Sequence, residues 1–254
     1  MQPQTQNLYA RIGLWSAVLL TLTLIVYTFG LETLLFSNPD RWKGVAAYAR
    51  QIGEKWHTSL TICHITAFTA APLYLIILIC LDAHNDIQKQ ILTRISVNFA
   101  IIFTVLGSIA YFIQFAAVKM SIAAGNLEGL EQLIQLNPNS ALYSIVTLGW
   151  TFFLGLSALF VAPMFCGSTL NTILRFSFLI NGISCMLGFI GYIIELEILV
   201  IVYLLGMGIS MLFLSFCLIQ FFRKSTVAKQ MVVSAAGLGL ENIQCGSNEP
   251  NRYV

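Results

Sequence analysis

Residues 176–222 read FSFLINGISCMLGFIGYIIELEILVIVYLLGMGISMLFLSFCLIQFF, with Glu195 and Glu197 as the only charges. Phe176–Ile194 and Ile198–Phe222 are each long enough to cross ~30 Å of hydrocarbon as an α-helix. Together they are twice what one span needs. The join Glu195-Leu196-Glu197 leaves room only for a tight turn, so the pair forms a helical hairpin whose two carboxylates keep the turn in water. Four further apolar runs of the same kind precede it: Ile12–Phe36, Ser59–Leu81, Val97–Val118 and Leu142–Phe165. The expected fold is therefore all-α, a bundle of six transmembrane helices over residues 1–222, followed by a cytoplasmic tail at 223–254 expected to be disordered.

Composition requires the same solvent. The chain is 57% hydrophobic and only 9% charged, against about 25% charged for a soluble domain. Such a chain cannot cover itself with a wetted surface. Its formal net charge of +2 and the lack of a long basic run exclude nucleic acid as a partner. The first run carries no charge before Glu32 and has no small-residue cleavage site after it, so it reads as a retained signal anchor.

Basic residues orient the bundle. Arg11, Lys89, Arg94, Arg175, Arg223, Lys224, Lys229 and Arg252 fall on one side, and Arg41, Lys43, Arg50, Lys55 and Lys119 on the other. The richer side is cytoplasmic by the positive-inside rule. This places both termini in the cytoplasm of a cell-membrane protein, with the lipid bilayer as its first partner.

The two longer outer loops have patterns of their own. Trp42, Val45, Ala49, Ile52 and Trp56 recur at spacings of three and four, which predicts an amphipathic helix lying in the interface. Leu127, Leu130, Leu133, Ile134 and Leu136 predict a second, shorter one before Asn137-Pro138-Asn139.

Small and hydroxyl residues mark helix contact within membranes. Ser144, Thr147, Thr151, Gly155, Ala158 and Ala162 form such a face on span four. Ser177, Asn181, Ser184, Gly188 and Gly191 form one on span five, and Thr104, Gly107, Tyr111 and Gln114 one on span three. Span six offers Gly206 and Ser210, and Pro72 and Pro163 are expected to bend spans two and four.

Bulkier polar groups gather in the outer half: Glu32, His57, His64, Tyr111, Gln114, Tyr192, Glu195 and Tyr203. Two readings follow. In one, His64, Tyr111 and Gln114 line a water-accessible outer pocket with Glu195 and Tyr203 as its far rim. In the other, these residues form an interfacial belt with ordinary interhelical hydrogen bonds.

Recognisable catalytic chemistry is missing. His57 and His64 are seven residues apart, about 10 Å along a helix axis, too far to share an ion. There is no CxxC pair, no phosphate-binding glycine loop and no nucleophile elbow. No cofactor, metal or catalytic residue is expected. The six cysteines read as small apolar packing residues.

The segments Ser108–Gln114, Leu148-Gly149-Trp150 and Phe160–Gly167 resemble uncharacterised multi-pass membrane proteins of bacteria and archaea, a family of unknown function. The resemblance implies a prokaryotic inner-membrane protein and carries over no activity. Three function classes remain. The first is non-enzymatic binding, sensing or transport of a small molecule through the outer pocket. The second is an accessory subunit that binds a membrane-protein partner, and the third is a membrane-embedded enzyme.

Overall fold

The computed structural model of the chain describes residues 3–37, 42–51, 57–83 and 90–237, with side chains described over 5–30, 42–51, 58–83 and 90–226. Six helices in it are long and apolar enough to span a membrane: Thr5–Gly30, Thr58–Asp82, Gln90–Ala123, Ala141–Met164, Thr169–Ile193 and Glu197–Thr226. Here they are spans one to six. Each packs on the one before it, and span six returns to span one. The result is a closed ring of helices. The connections after spans one and three lie at one end of the ring, called the loop end below.

Every span contributes to the ring's interior, and span two shows how. Leu60, Cys63, His64, Ala67, Ala70, Ala71, Tyr74, Ile77, Leu78 and Leu81 are buried and recur at steps of three and four, the stripe of a helix with one inward face. Ile62, Ile65, Ile76 and Ile79 on the other side are exposed. In water such a face would be an anomaly, and in lipid it is the normal surface. The half away from the loop end is filled by aromatic rings. Tyr74, Phe103, Phe165, Phe178 and Phe222 are essentially inaccessible there, with Phe165 stacked on Phe178 at 5.4 Å.

Lipid offers no contrast in polarity to drive apolar helices together, so close approach and buried hydrogen bonds do that work. Ser96 Oγ donates to the Ser157 carbonyl at 2.7 Å, and Tyr74 reaches Ser157 Oγ at 3.3 Å, tying spans two, three and four. Asn181 Nδ2 donates to Ser210 Oγ at 3.1 Å between spans five and six. Thr21 Oγ1 lies 2.9 Å from Ser215 Oγ, which closes the ring between spans one and six. Spans four and five meet through glycines: a Cβ on Gly182 would stand 2.6 Å from Leu159 Cγ and 3.0 Å from the Gly155 carbonyl.

The structure differs from the sequence expectation in four places. Span six continues as helix to Gly237, well past 222. No glycine or proline interrupts 209–236, so nothing local stops the helix before that glycine; residues 238–254 lie outside the described ones. The stretch 127–136 at the loop end forms only a single 3-10 turn, Leu130–Gln132, because side-chain bonds to the backbone shape it instead. Pro163 ends span four in the 3-10 turn Ala162–Met164 rather than bending it. Spans three and four each contain a π-helical turn, Gln114–Val118 and Gly149–Phe153.

Candidate ligand-binding site

The loop end is roofed by two short segments. Gly44, at φ 100, turns the chain into the helix Val45–Gln51, whose alanines favour helix and whose Val45 and Tyr48 share a buried face. That helix, the turn at Leu130 and Ile134, Leu60 of span two and Val118 of span three form one apolar cluster. Of the interfacial stripe expected here, Trp42 packs its ring 5.9 Å from Tyr48, while Ile52 and Trp56 lie outside the described residues.

The second segment is fastened by amide groups. Gln114 Nε2 donates to the Leu133 carbonyl at 2.5 Å, and the Gln135 N–H donates to Gln114 Oε1 at 3.2 Å. Asn137 Nδ2 donates to the Glu131 carbonyl and Ser140 Oγ to that of Ile134, both at 2.9 Å. Ser140 then caps span four by accepting from the Tyr143 N–H at 2.9 Å. Gln114 is therefore a strap between span three and the roof, with both ends of its amide occupied.

Beneath this roof lies a cavity of about 30 Å3 lined by Tyr48, Leu60, His64, Gln114, Val118 and Lys119, among others. A water molecule needs ~10–15 Å3 of such space, so one to a few small species fit and a metabolite does not. His64 is 8% exposed and Tyr48 5%. Among the described residues, neither the imidazole nor the Tyr48 hydroxyl has a hydrogen-bond partner. Their polar atoms stay open to a water-sized guest; the sealed side-chain atoms without a partner among the described residues are Asn7 Oδ1 and Gln135 Oε1. Burial alone pushes the Tyr48 phenol well above its ordinary pKa.

Behind His64, aromatic side chains link spans two, three and four. Its ring lies 6.1 Å from that of Tyr111. Trp150, inside the π turn of span four, donates its indole N–H to the Tyr111 hydroxyl at 2.9 Å. Tyr27 and Cys63 also stand within electrostatic reach of Tyr111. π turns in spans three and four thus flank the cluster and set the positions of Gln114 and Trp150.

Of the five residues expected at an outer pocket, His64 and Gln114 line the cavity, whereas Tyr111 stands behind His64, its ring 6.1 Å away, and does not line it. Tyr203 is buried between spans five and six against Gly188 and Tyr192, within electrostatic reach of Tyr111 but off the cavity. Glu195 is exposed on the hairpin turn at φ 56 and does not line it. Tyr48 and Trp150 were missing from that expectation. Tyr48 could have been found as the i+3 partner of Val45, whereas nothing in the sequence announces the π turn that aims Trp150.

No three His, Cys, Asp or Glu side chains converge among the described residues. The cavity offers donors and acceptors for hydrogen bonds: an imidazole, a phenol and, at its edge, the Lys119 ammonium. No protein-family model, curated protein or solved structure matches the chain.

Proposed function

We propose that this is a multi-pass protein of the cell membrane, with both termini cytoplasmic, that binds a small polar ligand at its outer face. Its work is binding or sensing rather than catalysis. The observation that carries the reading is the cavity into which His64 and Tyr48, both more than nine-tenths buried, bring polar groups without a protein partner. Such groups take their hydrogen bonds from whatever fills the cavity, and the cavity has room for a small guest. The aromatic filling of the opposite half supports a closed receptacle over an open conduit.

Labelling tests this directly. In a background lacking the native cysteines, His64→Cys should react with a membrane-impermeant thiol reagent from outside, and a stabilising ligand found by thermal-shift screening should block it. A folded variant that stays inert would leave His64 as a packing residue. Reporter fusions should place the chain after Arg223 inside and Asn126 outside, and an external tail would reverse the orientation.

A further inference from the structure

We infer that the guest of this cavity is a small monovalent inorganic anion of halide size, an inference that rests on the binding function proposed above. Charge decides first. Among the described residues, no Asp or Glu lines the cavity, while Lys119 stands at its edge and pairs with no carboxylate. A cation would meet an ammonium and find no anionic oxygen, so that class is disfavoured. Donor chemistry agrees. Tyr48 can turn its O–H, and His64 can present a ring N–H, toward one acceptor. The Gln114 amide is held by the Leu133 carbonyl and the Gln135 N–H, which leaves one Nε2–H of this lining residue for a guest. Size favours the smaller anions: about 30 Å3, room for two or three waters, holds a halide. Taking the anion out of water is costly, and the nearby ammonium with two donors offsets that cost.

The full-length protein in detergent tests the inference by melting in sodium bromide against sodium gluconate at equal ionic strength, gluconate being too bulky to enter. Bromide should raise the melting temperature saturably. Lys119→Gln, an exposed position that leaves packing intact, should raise the half-saturating bromide concentration about fivefold. Tyr48→Phe should raise it as well, and crystals grown in bromide should show an anomalous peak between Tyr48 and His64. A bromide effect that both variants leave untouched is a general salt effect and overturns the anion. No bromide effect, but stabilisation by formamide that Tyr48→Phe abolishes, overturns the anion and keeps the binding site. If neither probe acts on the unaltered protein, both readings fall and the cavity holds only water.

Discussion

The indole N–H of Trp150 donates to the hydroxyl of Tyr111 at 2.9 Å, joining spans three and four directly behind His64. Phe in place of Tyr111 strands that N–H in a low-dielectric interior. Tyr111→Phe should cost about 1 kcal/mol in reversible micellar unfolding. Trp150→Phe costs packing too, and a double-mutant cycle should recover a coupling of ~0.5–1 kcal/mol. Strict additivity would mean the bond contributes nothing.

Gln114 holds the roof through both ends of its amide. Gln114→Leu keeps much of the volume but leaves the Leu133 carbonyl and the Gln135 N–H unpaired. Hydrogen exchange at the Gln135 amide should quicken about tenfold, with a stability loss of ~1–2 kcal/mol and the six spans intact. Unchanged exchange there would show that the apolar contacts of Leu130 and Ile134 hold the roof unaided.

Tyr48 makes stability depend on alkaline pH. Burial disfavours its phenolate, so its folded pKa is raised above the unfolded value of about 10. The stability it contributes is fully present below pH ~10 and is lost as pH rises through the folded pKa. Tyr48→Phe should therefore flatten the alkaline fall of the unfolding free energy. Superimposable curves for the two proteins would place Tyr48 in water.

Gly182→Ala should destabilise by about 1–3 kcal/mol, since its Cβ would press on Leu159 and on the Gly155 carbonyl, and backbone yields poorly. Gly208→Ala is the control. Nothing lies within 4 Å of its Cβ, and helix propensity predicts a neutral or slightly stabilising change. Equal effects in thermal unfolding would mean that spans four and five do not meet through these glycines.

Glu195 sits at φ 56 just past span five, where the Leu196 N–H bonds to the Gly191 carbonyl at 2.9 Å. This helix terminus usually takes glycine. Glu195→Gly should relieve about 1 kcal/mol of strain, less the entropy glycine loses on folding, and leave ligand binding unchanged. Loss of binding would return Glu195 to the cavity.

What the sequence revealed of these features tracks how local the cause is. The stripe Ser177, Asn181, Ser184, Gly188 and Gly191 is buried along its whole length, because span five is an unbroken α-helix whose face follows from spacing alone. On span four the same arithmetic succeeds from Thr151 to Ala162 and fails before it, where Ser144 is exposed and Thr147 half-buried. The π turn at Gly149–Phe153 intervenes, and it shifts the phase of everything on its far side. Residue type carries no mark of that shift. The stretch 127–136 misled for another reason. Its leucines have helical spacing, but Gln114, Asn137 and Ser140 capture backbone groups that a helix would need. His64 and Gln114 were placed at one depth by counting from span ends, a count that survives such local rearrangement.

The packed rings of Tyr74, Phe103, Phe165, Phe178 and Phe222 bear on what the membrane experiences. An ion crossing that half would shed its hydration among hydrocarbon side chains, at a cost of tens of kcal/mol. Packing of this kind predicts a protein that does not conduct ions at rest. A cell could then carry it in quantity without leaking its proton or sodium gradient, whatever occupies the cavity at the loop end.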